Sequence, residues 1–204
     1  MKKLHKKNFL NPVGSALHLK RRQGYTLIEL LIVMFLLVIV ATLIAGILNS
    51  TITGTAKSKV ASDLGQNGNY ALSIVSDLIS NAQDLQSVTD ESQATYSSCV
   101  TSTSSGLTVK SLNLVGFDGG VTTLACNDTG ISPSYTISSN SASLIDTTRV
   151  KVVPGSCSFT CTQTDEYSIP RIDVTFQLYN ANSTTYSDKI TFSTSVAMRN
   201  QSIK

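Results

Sequence analysis

The sequence predicts an α+β protein: a long N-terminal helix, membrane-spanning in its first half and amphipathic in its second, packed on a C-terminal antiparallel β-sheet head. Three observations point there. Residues 25–48 form a continuous apolar run in which Glu29 is the only charge. Apolar residues then recur at helical spacing to about residue 87. Beyond that point the composition turns to Ser, Thr, Asn and Gly with β-branched runs.

Four segments follow. Residues 1–24 are a basic leader, 25–48 a transmembrane or assembly helix, 49–87 its amphipathic continuation, and 88–204 a β-rich head. About 20 helical residues cross a bilayer core, so the apolar run is long enough. From Leu30 to Leu48 only Thr42 is polar, and no charge appears between Glu29 and Lys57. Past the run, Val60, Leu64, Ala71, Ile74, Val75, Leu78, Ala82 and Leu85 recur mostly at steps of three, four or seven. Lys57, Asp63, Ser73, Asp77 and Asp84 fall elsewhere on the wheel, which describes an apolar stripe laid on a core. Gly54, Gly65 and Gly68 each weaken the helix by up to about 1 kcal/mol relative to Ala.

In the head, "LTVKSLNLV" (107–115), "VTTLAC" (121–126), "SLIDTTRVKVV" (143–153), "RIDVTFQLY" (171–179) and "KITFSTSVAM" (189–198) read as strands. The last two alternate cleanly. Ile172, Val174, Phe176 and Leu178 share one face, as do Ile190, Phe192, Val196 and Met198 on the next strand. "NANSTTYSD" between them suits a long hairpin loop, and 87–106 reads as loop. One sheet is expected, with a face against the second half of the helix.

The charge is unevenly divided. Seven of the sixteen Lys and Arg lie in the leader, which has no acid, leaving nine basic against thirteen acidic residues elsewhere, a net of −4. A net acidic head argues against non-specific nucleic-acid affinity, which depends on phosphate neutralisation. Lys110, Arg149, Lys151 and Arg171 are the cations a local patch would use. Both histidines, His5 and His18, also lie in the leader.

Four cysteines, Cys99, Cys126, Cys157 and Cys161, all follow the apolar run. An even count in an exported chain favours two disulfides, and the pairs nearest in sequence are Cys99–Cys126 and Cys157–Cys161. Zinc is the alternative, but the spacings lack CxxC pairs and no histidine lies beyond the leader. No metal and no cofactor is expected.

Glu29 needs an explanation, because a carboxylate deep in hydrocarbon costs roughly 2.5–3.5 kcal/mol on insertion scales. A secretory signal peptide does not supply one: the apolar run exceeds the usual h-region and no A-x-A site follows. A lipoprotein signal would need a cysteine just after the run. A plain signal anchor leaves Glu29 without a role.

"KRRQGYTLIELLIV" combines a basic leader, Gly24, an aromatic residue after it, and Glu29 as the fifth residue beyond Gly24. It resembles the class III signal of type IV prepilins and pseudopilins. The resemblance implies cleavage by prepilin peptidase between Gly24 and Tyr25, on the cytoplasmic side, with methylation of the new Tyr25 amine. It further implies that Glu29 docks near a neighbour's Tyr25 amine, so that the retained helix assembles with other pilin subunits. The inner-membrane assembly machinery and, before assembly, the lipid bilayer would be further partners. The head would lie outside the cytoplasmic membrane, and then in an extracellular or periplasmic filament. Where the family commonly bears a mid-helix proline, this sequence has Gly46.

"LGQNGNYALSIVSDLISNA" (64–82) and "TSVAMRN" (194–200) resemble minor pilins of the PilW and type II secretion J-pseudopilin kind. That favours a minor pilin or pseudopilin of a type IV pilus, competence pilus or type II secretion pseudopilus over a major subunit. The alternative reading is a pilus-displayed binding module, an adhesin or a DNA-binding head. No enzyme is expected. No histidine beyond the leader could activate Ser or Cys, and no phosphate loop or nucleophile elbow occurs. Asp165–Glu166 reads as a solvated acidic pair, and the sequons at Asn127 and Asn182 fit chance in so Ser/Thr-rich a chain.

Overall fold

The computed structural model describes residues 24–100, 106–128, 135–165, 168–183 and 188–199; of the basic leader it therefore includes Gly24 alone. The chain divides into two compact units, residues 1–50 and 51–204. Helix α1 (Leu27–Ser80) has 54 residues. In the first unit every described residue is exposed, including Leu36, Leu43 and Ile47 at 54%, 64% and 67%. By length and composition this is a helix able to cross a membrane.

In the second unit α1 buries Leu64, Gly68, Ala71, Val75 and Ile79, a ridge at steps of three and four. Val60, Leu72 and Leu78 flank it, half-buried. The helix was expected to run to about residue 87, but it ends at Ser80 and the chain enters β1 (Asp84–Thr89). Leu85 satisfies a helical stripe and an alternating strand equally well. Pairing with the neighbouring strand decides between them: Gln83 N donates to Val115 O at 2.7 Å, and Leu85 lies opposite Leu114.

Among the described residues, eleven strands form two antiparallel sheets where one was expected. The first contains β1, β2 (Thr95–Tyr96), β4 (Ser111–Val115), β5 (Val121–Asn127), β6 (Thr136–Ser139) and β7 (Ala142–Ser143), ordered β2-β1-β4-β5-β6-β7. The second runs β11-β10-β9-β3, from β3 (Leu107–Val109), β9 (Ser158–Thr162), β10 (Arg171–Asn180) and β11 (Ile190–Ala197), with β8 (Val150–Val152) also on β10. The stretch 107–115 is therefore two strands in different sheets, with the chain changing sheet at Lys110. Likewise 143–153 is not one strand. A turn at Asp146, closed by Arg149 N and Val150 N to its carbonyl, separates β7 from β8. Part of 87–106, expected as loop, pairs as β1 and β2.

The alternation in β10 and β11 holds. Ile172, Val174, Phe176 and Leu178 are fully buried, and β11 pairs with β10 over eight consecutive positions from Arg171↔Ala197 to Leu178↔Ile190. Phe176 lies opposite Phe192, with their rings stacked at 5.5 Å.

The disulfides are Cys99–Cys161 and Cys126–Cys157, with Cα separations of 5.6 and 5.5 Å, which corrects the nearest-neighbour pairing expected from sequence. Residues 158–162 are extended, so four steps from Cys157 to Cys161 cover about 13 Å, twice what a disulfide spans. Cys99 instead runs beside β9: Val100 bridges Gln163, and Cys99 N donates to Gln163 Oε1 at 3.2 Å. Cys126 on β5 and Cys157 ahead of β9 tie the first sheet to the second. Lys110 reinforces that seam. Its ammonium donates to Asp128 Oδ2 at 2.8 Å and to Cys157 O at 2.7 Å, and Asp128 is 4% exposed.

Candidate assembly site at the helix N-terminus

The residues singled out for processing and docking lie where α1 begins. Gly24 and Tyr25 precede the helix, with Tyr25 80% exposed, and a β-carbon on Gly24 would meet nothing within 4 Å.

Thr26 is the helix cap. Its Oγ1 accepts from Glu29 N at 3.3 Å, and its carbonyl accepts from Glu29 N and Leu30 N at 3.1 and 3.2 Å. "TLIE" has the spacing of a capping box, in which the cap hydroxyl takes an amide three residues on and an acid occupies that third position. Sequence reading missed Thr26, although the pattern is present to be read. The cap places Glu29 in the first turn, where free amides and the aligned peptide dipoles favour a carboxylate by about 0.3–1 kcal/mol. Part of the cost of Glu29 is thus offset within its own helix.

Away from this end, the other candidates are structural. Asn67 Oδ1 accepts from Asp146 N at 2.8 Å and its amide donates to Asp63 O at 2.9 Å, fastening the β7–β8 turn to α1. Arg149 reaches Asp63 at 3.5 Å and Asp146 at 3.4 Å across the same contact. Gly68 faces the ring of Phe192. At the chain's other end, Arg199 N donates to Ser80 O at 3.3 Å, supplying a partner to a carbonyl at the α1 C-terminus.

Of the four cations a nucleic-acid patch would use, Lys110, Arg149 and Arg171 are each engaged by an aspartate. Asp165 sits in a turn around Ser168, with Glu166 outside the described residues. Asn127 donates its amide to Ser138 Oγ at 2.9 Å. Among the described residues no three His, Cys, Asp or Glu side chains come together as metal ligands.

A family model described as the prokaryotic N-terminal methylation motif matches residues 19–45. No curated protein and no solved structure matches the chain. The match spans the end of the leader, Gly24, Tyr25, Thr26, Glu29 and the first half of the apolar helix. The chain carries a type IV pilin-like N-terminal signal, a motif of pilin-type structural proteins. Together with one apolar N-terminal helix, it fits a single-pass, membrane-anchored pilin-like subunit.

Proposed function

We propose that the protein is a minor pilin or pseudopilin, cut by prepilin peptidase between Gly24 and Tyr25, methylated on Tyr25, and built into a filament through α1. One observation carries this reading: within residues 19–45 the methylation motif coincides with a capped, fully exposed apolar helix whose first turn holds a single carboxylate. Helical surface of this kind needs lipid or other helices around it, and among lipid-like surroundings only the carboxylate distinguishes one axial register from another.

Cleavage would free an α-amine on Tyr25, one residue ahead of the cap. As neighbouring helices slide along one another, one offset brings the amine of one subunit to Glu29 of the next. In a medium of low dielectric that pairing offsets desolvation, and every other offset leaves both charges unpaired. Glu29 then sets the register of assembly and performs no chemistry. The assignment to the PilW and J-pseudopilin kind rests on 64–82 and 194–200. Within them, Asn67, Gly68 and the Arg199 amide each hold a defined place in the head.

Mass measurement of the protein purified from cells should give a chain beginning at methylated Tyr25. Glu29→Ala should insert in the membrane but vanish from sheared filaments. A chain beginning at Met1, or a Glu29→Ala variant incorporated at wild-type levels, overturns the reading.

A further inference from the structure

Two features of the second unit, at opposite ends of its part of α1, complement each other. At the first end, α1 and the start of β11 enclose an open groove of about 410 Å³, lined by Ala56, Val60, Ala61, Leu64 and Ile190. Lys57 and Lys189 stand on its rim with Asp188, leaving the rim net positive. All three are exposed, and neither lysine forms an ion pair among the described residues.

At the other end, the β4–β5 hairpin projects Phe117, 67% exposed, with Asp118 beside it. This tip is held in shape before any partner arrives. Gly116 N bonds Gly120 O at 2.8 Å, Gly119 N bonds Gly116 O at 3.0 Å, and Gly120 N bonds Asp118 Oδ1 at 2.9 Å. The hairpin adjoins the helix at Asp77, Leu78 and Asn81, which line a small cleft with Gly116. Ala56 to Asp77 is 21 helical steps, about 32 Å at 1.5 Å per residue.

We propose that the Phe117 hairpin of one copy docks in the Ala56–Ile190 groove of a second copy, with Asp118 meeting Lys57 and Lys189. The proposal rests on the filament reading and adds a contact between heads to it. A dry cavity of about 150 Å³ suffices for a benzene ring, so this groove has room for phenylalanine. Charge is complementary on both sides. Knob and groove are different surfaces, so the contact is heterologous: each copy has a free groove and a free knob after pairing, and the contact propagates. It also displaces copies along α1 without inverting them, as helices anchored in one membrane require. An aromatic anchor in an apolar pocket, rimmed by opposite charges, is the arrangement that concentrates binding energy at interfaces.

The test uses full-length protein in cells. One chain carries Val121→Cys at the foot of the hairpin, with Phe117 kept, another Ala61→Cys, and the two are co-expressed and treated with a short bis-maleimide. Both positions are exposed, so folding is little disturbed. A dimer should form only in the mixture, and a single chain carrying both cysteines should give a ladder of multimers. No intramolecular link can span the length of the head. Lys57→Glu with Lys189→Glu should lower the cross-linked yield at least tenfold, and adding Asp118→Lys should restore it. Membrane and sheared-filament fractions are scored separately. If the wild-type chain enters filaments and the engineered cysteines give no link, the contact alone is overturned; if the wild-type chain is absent from filaments, the filament reading is overturned. Absence of the link from both fractions, or linkage of Val121→Cys to a different protein only, also overturns the contact.

Discussion

Gly68 and Phe192 occupy one space: a β-carbon on Gly68 would overlap the Phe192 ring. Phe192 is stacked on Phe176 and paired with it across β10 and β11, so the ring has no easy retreat. A glycine in mid-helix is here the condition for α1 to lie close on the second sheet.

Gly68→Ala should therefore destabilise the head. Alanine favours the helix by up to about 1 kcal/mol, but overpacking costs typically 1–3 kcal/mol, and the overlap is with a buried ring. Gly65→Ala should do the opposite, since a β-carbon there meets nothing within 4 Å. Urea denaturation of the two variants should move in opposite directions from wild type.

Peptide mapping under non-reducing conditions should recover Cys99 linked to Cys161 and Cys126 linked to Cys157, with no free thiol. Removing either bridge should cost about 2–5 kcal/mol. The first closes a separation of 62 residues and the second 31, so loop entropy makes removal of the first worse by about 0.6 kcal/mol.

Lys110→Met should lower stability by about 3–5 kcal/mol, because it leaves the buried Asp128 carboxylate without its cation. Combining it with Asp128→Leu should recover much of that loss. Chemical denaturation of the two singles and the double closes the cycle and measures the coupling.

The Thr148 hydroxyl and amide, with Arg149 nearby, hold the Asp146 carboxyl below its ordinary value. A group depressed in the folded state adds stability above its unfolded pKa, and loses it as pH falls through the folded one. Acidification below about pH 4 should thus loosen the turn that Asn67 holds. Thr148→Val should raise the Asp146 pKa toward the ordinary carboxylate value, read by NMR titration of its side chain.

Much of this was legible before any coordinates. A long apolar run, Glu29 within it, and the alternation of β10 and β11 are one-dimensional patterns, and physics reads them the same way in a sequence as in a fold. What escaped depends on partners. Leu85 fits either period, and only Leu114 opposite makes it a strand. In β6, Thr136 and Ser138 are buried polar residues that no hydropathy pattern would place inside. Lys110 marks a change of sheet, although its sequence neighbours read as one continuous strand. The cysteine pairing required knowing that Cys99 runs alongside β9. At the helix start, Thr26 sits inside the apolar run, where hydropathy alone does not mark a cap; its bond from Glu29 N does.

From Gly24 to Leu48 every residue is exposed, and Glu29 is the only charged side chain. To Leu, Ile and Val, acyl chains and neighbouring side chains are nearly equivalent solvents, so passage from a bilayer to a polymer would move most of this surface at little net gain or loss. On the filament reading proposed above, reversibility would come naturally: a subunit whose greasy stem is at home in either setting could be withdrawn as readily as it is added, with one ionisable side chain left to tell the two apart.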